Sequence, residues 1–254
     1  MNIAVLAKLV PDLVEELSID ASGAKLDTSF ARLIVNEFDD HAIEEGILLK
    51  ERFDGQVTIL APDDEGIDDV LFTAAAKGAD RLLKLKGISA METSSHALAR
   101  AYADVVLELK PDLVLAGVQA HNDLDGSVGS LLAGMLNLPY VGYVSGISMQ
   151  DGQAALRKEY PAGLIAELQV TPPAVLGIQA AEQPPRYVAV SKVRQAMKSI
   201  SIEERTVAPT ESPAVPHIGR MFKPEAAQHA IMLAGAPDEI AGKLVKIFKE
   251  IGVI

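Results

Sequence analysis

The chain of 254 residues is long enough for one large α/β domain with appendages, and its 49% of hydrophobic residues can bury a substantial core. A formal net charge of −12 argues against a nucleic-acid partner, because contacts to a phosphate backbone need clustered lysine and arginine. The absence of cysteine excludes disulfides, thiolate zinc sites and cysteine nucleophiles.

Other classes of protein are disfavoured by what the sequence lacks. No apolar run is long enough to cross a bilayer, so we expect no direct membrane span. The first residues enter a strand pattern without a signal-peptide pattern, which favours a cytoplasmic location. The five histidines are separated in the sequence, and none has a paired ligand spacing, so no metal site is predicted.

The first half of the chain alternates apolar strand patterns with amphipathic helix patterns. Strands are predicted at residues 3–10, 56–61, 81–86 and 112–116. Helices are predicted from Asn36 to Gly55 and at residues 67–77, 96–109 and 130–136, and a small inserted hairpin at 17–27. The alternation predicts a doubly wound parallel sheet, a Rossmann-like α/β fold, with ligands at the carboxyl ends of the strands.

The pattern changes after Pro139. Strand patterns at residues 140–149, 155–160, 164–170 and 174–179 are joined by tight turns, which predicts an appended antiparallel portion. A short basic helix at 191–199 precedes a proline-rich extended arm, and Pro237 begins a terminal helix. We therefore expect an α/β nucleotide-binding domain at residues 1–199, and at 200–254 an arm and helix that pack on their own or a partner subunit.

One loop has the composition of an anion site. The buried strand at 112–116 runs into a polar loop that contains Gly117, Gly126 and Gly129 and opens a helix. Glycines permit close backbone approach, and free amides at a helix start favour a phosphate. A surface loop followed by a well-capped helix explains the same pattern, so both interpretations stay open.

Several segments, in order along nearly the whole chain, resemble the β subunit of electron transfer flavoproteins. The resemblance is carried by residues 7–12 (AKLVPD), 36–39 (NEFD), 74–80 (AAAKGAD), 113–120 (LVLAGVQA), 182–187 (EQPPRY) and 246–254. The chain departs from the family pattern at Leu9, Glu37, His121 and Asn122, and at Pro161 with Ala162. These departures bear on partner specificity and on the exact nucleotide.

The resemblance implies an adenine-nucleotide site, with AMP in ordinary members and a second FAD in electron-bifurcating members. The matching positions are Leu6, Asn36, Glu37, Phe38, Asp39, Pro62, Asn122, Asp123, Asp125, Gly126, Ser127, Val128, Gly129, Ser130 and Ala133. The polar residues and the amides of the loop agree with this chemistry. Asn36 has an alternative role as a helix N-cap, which we weigh equally.

The resemblance also implies a docking segment at residues 160–168. In the family this segment anchors the β subunit on a dehydrogenase, and Leu164 matches the anchoring leucine, with Pro161 and Gly163 beside it. Periodicity alone favours the alternative that Leu164 is a core strand residue. Pro161 stiffens the segment and removes an amide.

The implied function is that of an electron carrier subunit rather than a stand-alone enzyme. The chain would form a heterodimer with an α subunit that holds most of the FAD. It would relay electrons from a flavin-dependent dehydrogenase, such as acyl-CoA dehydrogenase, to a quinone reductase or another acceptor. The alternatives are an electron-bifurcating β subunit with its own FAD and, from another class, a non-redox adenine-nucleotide-binding module.

Overall fold

The structure, a computed structural model, describes residues 1–208, 218–224 and 230–254. It divides into two compact units, Met1–Gly219 and Arg220–Ile254. Three of the prolines on which the extended arm was predicted, Pro209, Pro213 and Pro216, lie outside the described residues.

The elements follow in chain order. The strands are β1 (Asn2–Leu6), β2 (Leu9–Pro11), β3 (Ser18–Ile19), β4 (Leu26–Asp27), β5 (Leu33–Val35), β6 (Gln56–Pro62), β7 (Arg81–Lys86), β8 (Leu113–Gly117), β9 (Tyr140–Gln150), β10 (Gln153–Tyr160), β11 (Leu164–Val170), β12 (Ala174–Ile178) and β13 (Ile202–Thr206). The helices are α1 (Glu37–Phe53), α2 (Ile67–Lys77), α3 (Ser95–Leu109), α4 (Val128–Leu136), α5 (Val190–Ser199) and α6 (Pro237–Glu250).

Within the described residues, nine strands form one sheet in the order β11-β10-β9-β12-β8-β1-β6-β7-β13. Seven neighbouring strands are parallel to one another: β9, β12, β8, β1, β6, β7 and β13. Strand β10 is antiparallel to both β9 and β11. This confirms the predicted mixed α/β fold with a doubly wound parallel sheet and an antiparallel extension. The predicted hairpin is also present, as β3 and β4.

Helices cover both faces of the sheet. Residues of α1 and α2 pack with the sheet side chains that include Ile3 and Val5. Residues of α3 and α4 pack on the opposite face with Ala4 and Leu6. Successive residues of a strand point to opposite faces, which is why a continuous apolar β1 is buried on both sides.

The predicted first strand, 3–10, is wrong as a single strand. It divides into β1, in the large sheet, and β2, which pairs antiparallel with β5. The chain leaves the large sheet after Leu6 and turns Lys8 towards a distant loop, so the two apolar runs enter different sheets. Pro11 is the last residue of β2, a short strand with a single partner, where a proline is tolerated.

The segment 174–179 was predicted in the antiparallel portion, and this is wrong. β12 lies between β8 and β9 and is parallel to both. Its five residues, AVLGI, are all buried, which is typical of a parallel strand covered on both faces rather than of an alternating strand. The antiparallel extension therefore consists of β9, β10 and β11.

One boundary and one strand also differ from the prediction. α1 ends at Phe53, and its C-cap is Asp54, which has a left-handed φ of 52° and precedes the predicted Gly55 by one residue. The sequence did not predict β13, which joins the sheet beside β7. Its residues, Ile-Glu-Glu-Arg-Thr, are mainly polar and exposed, as suits an edge strand, so no apolar alternation indicated it.

Candidate functional site

A crevice forms where the chain changes direction across the sheet. After β1 the chain adds β6 and β7 on one side, and then returns to place β8 on the other side of β1. In open α/β sheets, ligands bind outside the carboxyl ends of the strands at such a point. Leu6, Asn36, Asp39 and Gly117 meet there, although they are far apart in the sequence.

Asp39 joins the strand ends at this crevice. Its Oδ2 accepts a hydrogen bond from the amide of Lys8 at 3.0 Å, and its Oδ1 accepts one from the amide of Gly117 at 2.9 Å. Burial raises the pKa of this carboxyl to about 7, although the Lys8 charge and the hydrogen bonds oppose the shift. Both carboxylate oxygens of Asp39 therefore hold the backbone that borders the crevice in place.

Gly117 is required by the close approach of α1 to the end of β8. A Cβ at this position would lie 2.8 Å from Phe38 Cβ and 2.9 Å from Asn36 Nδ2, and closer still to Asp39 Oδ1. Asn36 precedes α1 but makes no side-chain cap; its Nδ2 donates to the carbonyl of Gln119 at 3.1 Å. The predicted capping role is therefore wrong, because the amide group faces the loop rather than the helix.

Lys8 organises the loop between β8 and α4, and the sequence did not predict this role. Its buried ammonium group donates to Asn122 Oδ1 at 3.0 Å and forms a salt bridge with Asp123. The other oxygen of Asp123 accepts from the amide of Ala120 at 2.9 Å. The negative charge of Asp123 is thus compensated inside the protein, and a phosphate nearby would not meet a free carboxylate.

Asp125 fixes the same loop to α3. Its carboxylate accepts hydrogen bonds from the amides of Ser95 and His96 and lies 2.8 Å from His96 Nδ1. Burial alone would raise the pKa of Asp125, but these hydrogen bonds outweigh it and lower the pKa. Asp125 thus acts as an acceptor for the start of a neighbouring helix, a position favoured by the helix dipole.

The remaining predicted residues lie at different depths. Ser127 precedes α4, Val128, Gly129 and Ser130 form its first turn, and the hydroxyls of Ser127 and Ser130 lie 2.8 Å apart. The first amides of a helix have no partner within it and can serve an anion. Other candidates vary in exposure: Gly126 is exposed with a φ of 121°, Glu37 is exposed, Phe38 is half-buried, and Leu6, Pro62 and Ala133 are buried.

Two cavities meet at the loop. The smaller one, lined by Leu6 and Tyr102 among others, has a volume of about 20 Å³, which is room for a single water molecule. The open cleft beside it, between the loop, the start of α4 and the strands β9 and β10, has a volume of about 750 Å³. Gln119, Ala120 and Asp123 line both. A purine base therefore has space in the open cleft but not in the smaller crevice.

The sequence did not predict that the antiparallel extension contributes to this cleft. Tyr140, Tyr143 and Lys158 line it from the antiparallel extension. Tyr143 has a φ of 61°, at a point where the register between β9 and β12 shifts. An irregularity of this kind redirects side chains, and no local sequence pattern indicates it.

The docking segment is an exposed hairpin turn. Residues Pro161–Gly163 form a short 3-10 turn between β10 and β11, with Ala162 at a φ of 65° and Gly163 at 75°. Leu164 is the first residue of β11 and its exposed fraction is 68%, so the core position favoured by periodicity is wrong. Its exposure meets the steric requirement for an anchor.

The fold and the crevice define a doubly wound α/β protein of the kind that binds ligands at the strand switch point. The family profile described as "Electron transfer flavoprotein domain" matches residues 25–210, which is well over half of the chain. The chain therefore belongs to the electron transfer flavoprotein family.

Individual relatives agree with this assignment. The electron transfer flavoprotein subunit beta of Methylophilus methylotrophus is 29% identical, with 98% of each chain covered. The subunit of the same name from Clostridium acetobutylicum is 30% identical over 76% of this chain and 74% of that relative. The one from Bacillus subtilis is 26% identical over 98% of each. The predicted resemblance to β subunits is confirmed. No helix among the described residues has both the length and the apolar character to cross a membrane.

Proposed function

We propose that this chain is the β subunit of a heterodimeric electron transfer flavoprotein and that it holds an adenine nucleotide beside the carboxyl ends of β1 and β8. The observation that carries the proposal is the cleft of about 750 Å³ beside the loop that follows β8, next to the crevice at the strand switch point, in a chain of this family. The loop that borders the cleft already has its acids paired, Asp123 with Lys8 and Asp125 with His96.

The lining of the cleft is suited to AMP. Ser127 and Ser130 supply hydroxyls, and the first amides of α4 supply donors for a phosphate. Gln119, whose carbonyl is bonded to Asn36, presents a neutral polar side chain at the boundary of the crevice. The donor set is therefore neutral or cationic, as a phosphate requires.

The redox chemistry of the complex would be supplied by FAD, which we propose is held mainly by an α subunit. This chain contributes the nucleotide site and the docking turn. Leu164, exposed at the start of β11, would insert into an apolar pocket of a flavin-dependent dehydrogenase such as acyl-CoA dehydrogenase. A quinone reductase or another acceptor would then receive the electrons.

A second FAD in place of AMP is the alternative that the open cleft also allows, because its volume of about 750 Å³ lies in the upper part of the range of small-molecule and cofactor sites. That occupant would make the complex an electron-bifurcating member of the family. The non-redox nucleotide module considered from sequence is disfavoured by the family assignment.

Co-expression with an electron transfer flavoprotein α subunit from the same source tests the proposal. We expect a tag on this chain to recover a stable heterodimer with the visible absorbance of a flavin. A flavin-dependent dehydrogenase and its substrate should bleach that absorbance, and this chain alone should show no such activity. Failure to recover a flavin-containing complex would contradict the proposal.

A further inference from the structure

Lys158 occupies a distinctive place in the open cleft. It lies on β10, lines the cleft, and carries its ammonium group 5.6 Å from the ring centre of Tyr143 and 5.2 Å from that of Tyr160. Both distances are within the range of cation–π contacts. The two rings hold the ammonium group at the wall of the cleft without neutralising its charge.

The charges around the cleft leave Lys158 without an ionic partner. Among the lining residues that the structure describes, Asp123 and Lys158 are the charged ones, and Asp123 is already paired with Lys8. Lys158 forms no salt bridge with any described residue, whereas its neighbours Arg157 and Glu159 pair with each other at 3.2 Å. The cleft therefore presents one uncompensated positive charge to whatever enters it.

We propose that Lys158 is a specificity-determining residue of this cleft, which selects a phosphate-bearing nucleotide over the uncharged nucleoside. The inference rests on the proposed nucleotide site and adds the residue that recognises the ligand's charge. The hydroxyls of Ser127 and Ser130 also bond neutral groups, and the first amides of α4 carry only a partial positive charge, so they supply less of this discrimination than a full charge does. The ammonium group of Lys158 supplies more of it, because its Coulomb attraction is added only when the ligand carries a negative charge.

The rings leave the ammonium group available to the ligand. An exposed cation–π contact corresponds to about a two- to fivefold change in an equilibrium constant, whereas a hydrogen bond to a charged group corresponds to roughly tenfold or more. A phosphate in the cleft can therefore bind the ammonium group even if one ring contact is lost. The lysine stem has the flexibility for this small movement.

The test is calorimetric titration of the full-length chain, freed of bound nucleotide at high salt, with AMP and with adenosine. Lys158→Met removes the charge and keeps the length of the side chain. We expect it to weaken AMP binding about tenfold and adenosine binding by less than about twofold. Lys158→Arg should restore AMP binding, and Lys192→Met, on the exposed surface of α5, should leave both affinities unchanged.

The salt dependence provides a second measurement. AMP binding to the wild-type chain should weaken with added salt more steeply than AMP binding to Lys158→Met. If Lys158→Met weakens AMP and adenosine equally, or weakens neither, Lys158 does not select for charge and the inference is overturned. If the wild-type chain binds neither compound, the proposed nucleotide function itself fails.

Discussion

The amide of Gly117 donates a hydrogen bond of 2.9 Å to Oδ1 of Asp39, and this contact fastens the first turn of α1 to the end of β8. The same carboxylate binds the amide of Lys8, just beyond β1. One buried acid thus fixes the two strand ends that border the crevice. The position of the proposed nucleotide site depends on this junction.

Gly117→Ala should destabilise the protein. The added methyl group would crowd Phe38 and Asn36 at less than 3.0 Å, and overpacking of this kind costs about 1–3 kcal/mol. Urea unfolding measures the change. Gly134→Ala in α4 is the matched control, since no atom lies within 4 Å of its added Cβ, and it should be neutral or slightly stabilising. Equal stability of the two variants would contradict the proposed junction.

Lys8→Met should destabilise the loop that follows β8. The substitution leaves the Asp123 carboxylate buried without its ionic partner, and removing one member of a buried pair costs roughly 3–5 kcal/mol. In a double-mutant cycle by urea unfolding, Asp123→Asn in the Lys8→Met background should recover a large part of the loss. Strictly additive effects of the two substitutions would show that the pair is not coupled.

Glu45 is a buried acid on α1 that serves a different region. Its Oε2 accepts a hydrogen bond from the amide of Glu182 at 3.0 Å, and its Oε1 has no hydrogen-bond partner in the part of the chain that the structure describes. The neighbouring Glu44 pairs with Arg186, so both acids of α1 bind the segment after β12. Burial raises the pKa of Glu45 to about 7 from a reference value of 4.5, and the Glu182 charge adds to the shift.

The stability of the protein should therefore fall as Glu45 ionises. Because the pKa in the folded state lies above the reference value, the stabilising contribution of Glu45 is complete below pH 4.5 and is lost as the pH rises through about 7. Glu45→Gln imitates the protonated form. Its free energy of unfolding relative to the wild type should increase by about 2 kcal/mol between pH values of about 5 and 8.

Urea titrations at the two pH values measure this difference. Some pH dependence should persist in Glu45→Gln, because burial also raises the pKa of Asp39 to about 7. Exposed Glu92→Gln is the control and should follow the wild type at both pH values. A Glu45→Gln variant whose stability runs parallel to that of the wild type would rule out the titration of Glu45 in this range.

Leu164→Ala should affect docking and not folding. The side chain is 68% exposed, so its truncation should change the free energy of unfolding by less than about 0.5 kcal/mol and leave the flavin content of the complex intact. The rate of reduction by the partner dehydrogenase should fall about tenfold or more. Leu107→Ala, on α3 and 61% exposed, is the control. Equal reduction rates in the two variants would reject the anchoring role.

The features that depend on local pattern were predicted from the sequence. The apolar period of two or of 3.6 residues placed β7, α2 and β11 with the observed boundaries. Gly78, the residue directly after the predicted helix at 67–77, is the C-terminal cap of α2, and its amide donates to the carbonyls of Ala74 and Ala75. These features depend only on residues that are close together in the sequence.

The features that depend on distant contacts were not predicted. Lys8 and Asp123 are 115 residues apart, and their pairing follows from the strand order, which the sequence does not state directly. Tyr143 and Lys158 reach the cleft because β9 is irregular. Asn36 was assigned a capping role by its position, but its amide group binds the loop because β8 ends opposite it.

The proposed adenine nucleotide beside β1 and β8 can be identified by denaturing the purified heterodimer and counting the released nucleotides by chromatography. We expect one FAD and one AMP for each heterodimer, with AMP lost from Lys8→Met more readily than FAD. A complex that releases one FAD and no other adenine nucleotide would contradict the proposed nucleotide site. Release of two FAD molecules and no AMP would show that the site holds a second FAD, as in electron-bifurcating members.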